Sequence, residues 1–155
     1  MTNPNEQLTE HFTLKEFTRS SSHPEIYNVP PPSAVENLRR VCMWLEKIRD
    51  IYNTLYGNGG DVPVKISSGY RSEKLNRAVG GAKESNHLTG CAADIVCRDC
   101  EQAIQYASLL IDCFDAEEEQ FDEIIVEKKF NHFWVHFAVR EMGRNRGIVS
   151  VIDKR

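Results

Sequence analysis

Residues 121–140 read FDEIIVEKKFNHFWVHFAVR, two apolar runs joined by a short polar turn. Period-two alternation makes each run a strand and the pair a hairpin, over 121–129 and 133–140. In the first strand Glu123, Ile125 and Glu127 share one face, and Ile124 and Val126 take the other. In the second, Trp134, His136 and Ala138 lie opposite the apolar set Phe133, Val135, Phe137 and Val139. The apolar sets have to face a core, so Glu127 and His136 are expected to project together from the far side of the sheet.

Working outward, VPVKISSGY (62–70) alternates Val62, Val64 and Ile66 inward, and AADIVC (92–97) also has strand character. Helices are predicted on either side of these strands. Ser33 opens SAVE, a capping-box pattern with Glu36, and Val35, Leu38, Val41, Cys42, Leu45 and Ile48 recur at helical spacing as far as Tyr52–Tyr56. Ser72 is placed to cap a short helix running to Val79 and stopped by Gly80 and Gly81, and residues 101–114 form a further amphipathic helix. LKEFTRS (14–20) suggests a short helix ahead of a loop (21–32) that holds four prolines. The expected fold class is α+β, an antiparallel sheet packed against helices on one face. One domain is expected over 1–155, with a loosely structured lead-in (1–32), a core (33–140) and a tail (141–155).

The 155 residues suit one hydrophobic core, with 41% hydrophobic and 27% charged residues and a formal net charge of −4. That charge gives no overall pull toward nucleic acid or anionic lipid, and no apolar run approaches a membrane span. The start of the chain has neither a basic n-region nor an apolar h-region, so the product is expected to be soluble and cytoplasmic as synthesised; a monomer is also expected. Five cysteines (42, 91, 97, 100, 113) are odd in number and sit in or beside apolar periodic segments, which points to reduced thiols. Cys97 and Cys100 form a lone CxxC with no second ligand pair of similar spacing, which argues against structural zinc there.

SNHLTGCAAD (85–94) sets His87 and Asp94 among small residues, where a stretch built only for packing would carry larger apolar groups. If this segment comes up beside the hairpin, His87, Asp94 and His136 make two imidazoles and a carboxylate, a competent zinc set with a fourth position open to water. Zinc lowers the pKa of such a water and polarises a carbonyl, and Glu127 is the natural base. The bland readings are a structural strand histidine and an aspartate that only caps a turn. It is the joint arrangement that favours the metal.

SGYRSEKLNRAVGG, SNHLTGCAAD and IIVEKKFNHFWVH, in this order, resemble the M15 family of zinc peptidases, which includes D-Ala-D-Ala carboxypeptidases, dipeptidases and phage endolysins. The resemblance runs from about Val64 to Val139, and HFTLKEFTRS is similar to the start of its phage and bacteroidete branch. It implies a Hedgehog-like fold with a zinc cleft on the face away from the helices. It also implies zinc on His87, Asp94 and His136, water activation by Glu127, oxyanion stabilisation by Arg71, and substrate binding by Ser85, with Tyr70 and Trp134 as further substrate contacts. Arg71 also reads as a plain helix-start arginine, and Trp134 equally as cleft wall or core. Many relatives carry the acid in E-x-x-H, where this chain has Phe133. The Hedgehog comparison moves the base to the preceding strand, at Glu127, with Glu123 as the weaker candidate. Gly90 then permits a turn that a Cβ would obstruct, and Ala92 and Ala93 keep the metal-bearing strand close to its neighbours.

The resemblance implies a zinc metallopeptidase that cuts the peptidoglycan stem peptide as a D,D- or L,D-type carboxypeptidase or endopeptidase, acting on the cell wall, for example after phage-type release. Two other classes stand beside it: a zinc-stabilised binding module without turnover, and a phage structural component that only adheres to cell wall. Retained Glu127 and Arg71 favour the enzyme, because a pure binder needs neither a base nor an oxyanion partner.

Overall fold

The computed structural model describes residues 2–155. Ten elements of regular α or β structure occur in the order β1 (Gln7–Thr9), β2 (Phe12–Thr13), α1 (Pro32–Tyr56), β3 (Lys65–Ser68), α2 (Glu73–Ala78), β4 (Ala92–Cys97), α3 (Cys100–Ala116), β5 (Glu123–Lys129), β6 (His132–Ala138) and β7 (Ile148–Lys154). Strands β3 to β7 form one sheet in the order β3-β4-β6-β5-β7. The hairpin is present, with Phe130 at φ 55° in its turn, and its register pairs Glu127 with Trp134 and Ile125 with His136. This is a mixed α+β fold.

Ile124, Val126, Val135, Phe137, Ala93 and Ile95 bury one side of the sheet in a core shared with Leu38, Val41, Leu45 and Ile48 of α1 and Tyr106, Leu110 and Phe114 of α3. Trp44 of α1 stacks on Phe114 of α3 with ring centroids 3.7 Å apart, which ties the two helices together.

Several expectations need correction. The sheet is not wholly antiparallel, because β7 runs parallel to β5. Residues 148–154, expected as tail, are therefore an edge strand. Its entry is fixed by the fully buried Asp122, which accepts from the backbone N–H and guanidinium of Arg146, while Ile148 N–H donates to the Asp122 carbonyl. The lead-in is also ordered over residues 7–17. Leu8, Phe12, Leu14 and Phe17 belong to the core, and Glu46 of α1 accepts from the Thr9 hydroxyl and the His11 N–H.

Within that lead-in the predicted helix over 14–20 is only a 3-10 turn, Leu14–Phe17, and the capping box forms there, between Thr13 and Glu16. The box expected at Ser33 does not form. Proline at the first helical position starts α1 two residues earlier than a Ser33 cap would, with no side-chain cap, because proline has no N–H to satisfy and its φ is already helical. The strand expected over 62–70 ladders only at Lys65–Ser68, since Pro63 has no N–H to give, but Val64 and Ile66 are buried as the alternation predicts. All five cysteines are free. Cys97 is buried at the end of β4, and Cys100 is exposed at the start of α3.

Candidate metal centre

Asp94 lies directly across from His136 in the β4–β6 register, so both side chains leave the same face of the sheet. His87 reaches that face from a 3-10 turn, Asn86–Thr89. Ser85 begins the turn by accepting from the His87 N–H, and Gly90 ends it at φ 75°. A Cβ on Gly90 would stand 2.5 Å from the Ala34 carbonyl oxygen, so only glycine fits where the turn abuts α1. Ala92 and Ala93 are fully buried beside it, in keeping with the close approach expected of small residues.

The ligand-type atoms of His87, Asp94 and His136 lie within 4.8 Å of one another. Asp94 Oδ1 is 3.3 Å from His87 Nε2 and 3.1 Å from His136 Nδ1. Donor atoms of a tetrahedral zinc site are about 3.3 Å apart, so this donor set fits zinc with little movement. The remaining ring nitrogens are engaged as an outer shell requires. His87 Nδ1 donates to the Gly69 carbonyl at 2.6 Å, and His136 Nε2 lies 3.1 Å from Glu123 Oε1. Each bond fixes a ring and leaves the other nitrogen directed at Asp94.

Electrostatics follow from this packing. Burial opposes charge on Asp94, but the field of His87 and hydrogen bonds from His136 and His87 hold its carboxyl far below the usual carboxylate range. Burial also works against a charged His136, yet hydrogen bonds to Asp94 and Glu123 raise it to about 9. The hydrogen bond from His136 in turn keeps Glu123 below its ordinary value, against the cost of burial.

A cleft of about 810 Å³ opens over these residues and is also lined by Arg71, Ser85, Glu127 and Trp134. Arg71 sits just before α2, whose Ser72 cap accepts from Leu75 N–H as predicted. Its guanidinium donates to Ser68 Oγ, Asn76 Oδ1 and Asp94 Oδ2, and is fixed in direction rather than waving at a helix start. Burial draws its pKa down, while Asp94 and Glu127 pull it the other way. Trp134 lines the cleft and donates its indole N–H to Glu127 Oε2 at 2.7 Å, so it is more than wall or core. Tyr70 is not brought to the cleft: it packs against the core instead.

Sequence reasoning missed two partners. Glu123, by sequence the weaker candidate base, instead binds His136 and is itself held by Asn86, which also donates to the buried Asp122. Face alternation already put Glu123 beside His136, so that signal was present. Lys154, 2.9 Å from Glu127 Oε1, was hidden because it arrives on the unforeseen strand β7.

The sequence matches the family described as peptidase M15 over residues 10–132. The chain belongs to the peptidase M15 family. M15 peptidases are zinc-dependent, and Zn²⁺ is the cofactor this membership brings to the donor set described above. Over 85 residues the chain is 34% identical to the zinc D-Ala-D-Ala carboxypeptidase of Streptomyces albus G, an alignment that covers 55% of this chain and 31% of that protein. The chain thus spans about a third of the length of the curated relative it matches. The M15 match stops at residue 132, so His136 stands on geometry: its place opposite Asp94 in the sheet.

Proposed function

We propose that this chain hydrolyses a peptide bond in the peptidoglycan stem peptide, of D,D- or L,D-type, with zinc held by His87, Asp94 and His136. One observation carries the reading: a three-donor set of zinc dimensions shares a cleft with a carboxylate and a guanidinium that are not among those donors. The substrate class is supported by the name of the Streptomyces relative. Zinc, when bound, supplies Lewis acidity to the scissile carbonyl and brings the pKa of a water near 7.

The chain's own residues do the rest. Glu127 takes a proton from the attacking water and delivers it to the leaving nitrogen as the C–N bond breaks, with the indole of Trp134 holding one carboxylate oxygen in place. Arg71, fixed by Ser68 and Asn76, offers N–H donors to the oxyanion that develops on the carbonyl. Ser85 shapes the cleft by capping the His87 turn, and its exposed side can meet the substrate backbone. Mass spectrometry of purified peptidoglycan digested with and without a chelator tests the proposal. New stem-peptide fragments that vanish with the chelator are expected; an unchanged fragment pattern in zinc-replete samples would reject it.

A further inference from the structure

Glu127 is buried, yet both its oxygens are occupied. Trp134 Nε1 donates to Oε2, and the Lys154 ammonium stands 2.9 Å from Oε1 and 5.6 Å from the Trp134 ring centroid. Lys154 comes from β7, where the parallel register sets Ile152 beside Glu127 and Lys154 beside Lys129. Its side chain is half exposed, and it lines the cleft with Lys129. An ammonium has three donors, so one carboxylate partner leaves it able to bind a second. Arg71, Arg98, Lys129 and Arg146 also line the cleft, but Arg98 pairs with Asp99 and Arg146 with Asp122, and it is Lys154 that makes the ion pair with Glu127.

Bond lengths say what reaches Lys154. For Glu127 to protonate the leaving nitrogen, that nitrogen must come within hydrogen-bond reach of it. In a C-terminal residue the α-carboxylate hangs on the same carbon as this nitrogen, and its oxygens lie about 3 Å from it. A cation already in contact with Glu127 is therefore in the neighbourhood that carboxylate enters. We infer that Lys154 is a specificity-determining residue that binds the free α-carboxylate of the departing amino acid, so that peptides cut at their last residue are preferred over internal or amidated sites. This rests on the peptidase reading above.

The test compares acetyl-L-Lys-D-Ala-D-Ala as free acid and as C-terminal amide, using zinc-loaded wild type, Lys154→Met and Lys154→Arg, with circular dichroism to check the fold. Wild type should favour the acid by about 10- to 100-fold, chiefly through KM, as expected for a charge pair in a partly desolvated cleft. Lys154→Met should bring the acid-to-amide ratio close to one, and Lys154→Arg should restore most of it. A ratio unchanged in Lys154→Met overturns the inference. So does an equal fall in kcat on both peptides, the signature of a mere brace for Glu127. Wild type that cuts neither peptide counts against the peptidase reading instead, and calorimetric titration of the two peptides then decides about Lys154. Tighter binding of the acid by wild type, lost in Lys154→Met, supports its role; equal binding of acid and amide by wild type overturns it.

Discussion

Glu123 and Glu127 flank Ile125, the strand position opposite His136, two residues to either side, and their surroundings give them different work. Glu123 is spent on His136 Nε2 and on Asn86, whereas Glu127 contacts Trp134 and Lys154 and no ligand-type atom of the metal set. Glu127→Ala should therefore lower kcat by about two to four orders of magnitude with zinc content intact. Glu123→Gln should instead weaken zinc affinity by about 10- to 100-fold, because it loosens the ring that presents Nδ1. Chelator competition and stem-peptide cleavage, measured on both variants, separate the two roles; the assignment fails if the effects are exchanged. A pH dependence follows from His136, raised from 6.5 to about 9 by its carboxylate neighbours. Its proton has to leave before Nδ1 can bind metal. Zinc affinity should thus climb with pH, about tenfold per unit for one displaced proton, and flatten above about 9. Without metal the sign reverses: the stability this protonated ring gives the fold is complete below pH 6.5 and is lost as pH rises through about 9. Competition titrations from pH 6 to 10 check the first, and urea melts of chelated protein the second.

Among the elements, the hairpin and the His87–Asp94 segment were the most legible, because alternation of side chains fixes faces without knowledge of any partner. That is why Glu127, Trp134 and His136 could be set on one side, opposite Val135 and Phe137, from residues 121–140 alone. What stayed hidden depends on pairing at a distance. Strand β7 reads as an ordinary tail until Asp122 pins Arg146 and feeds Ile148 to the edge of β5. Tyr70, next to Arg71 in sequence, turns to the core because β3 has ended and Tyr70 N–H donates to the Phe17 carbonyl on the ordered lead-in. The turn that carries His87 makes its own prediction. Gly90→Ala forces a Cβ into a left-handed residue 2.5 Å from the Ala34 carbonyl oxygen, so the turn has to shift away from α1. A loss of about 1–3 kcal/mol is expected from the backbone conformation alone, and more from the clash. Denaturant unfolding of chelated protein isolates this cost from any loss of metal; an unchanged midpoint would mean that the turn does not bear on α1 as described.

At the scale of the whole molecule, the donor set joins parts that the hydrophobic core leaves separate. His87 belongs to a turn leaning on α1, Asp94 to β4 and His136 to β6, and on this side of the sheet they meet through polar contacts rather than through apolar packing. The opposite side is already held by α1, α3 and the lead-in aromatics Phe12 and Phe17, so the fold does not depend on metal to form a core. Zinc should accordingly raise stability without being needed for folding, unlike the small metal domains that unfold when it is removed. A ligand bound only to the native state at 100 times its Kd adds about 2.7 kcal/mol. For a chain of 155 residues each kcal/mol moves Tm by about 2–4 °C, so saturation with zinc should raise Tm by about 5–11 °C over chelated protein. His136→Ala should keep its secondary structure but lose most of that rise, since it removes one of the three donors and with it the outer contact to Glu123. Circular dichroism melts of wild type and variant, each with zinc and with chelator, provide the comparison. A chelated wild type that lacks a cooperative transition would show that the metal holds the fold itself. An undiminished zinc-dependent rise in His136→Ala would mean that the ion binds elsewhere.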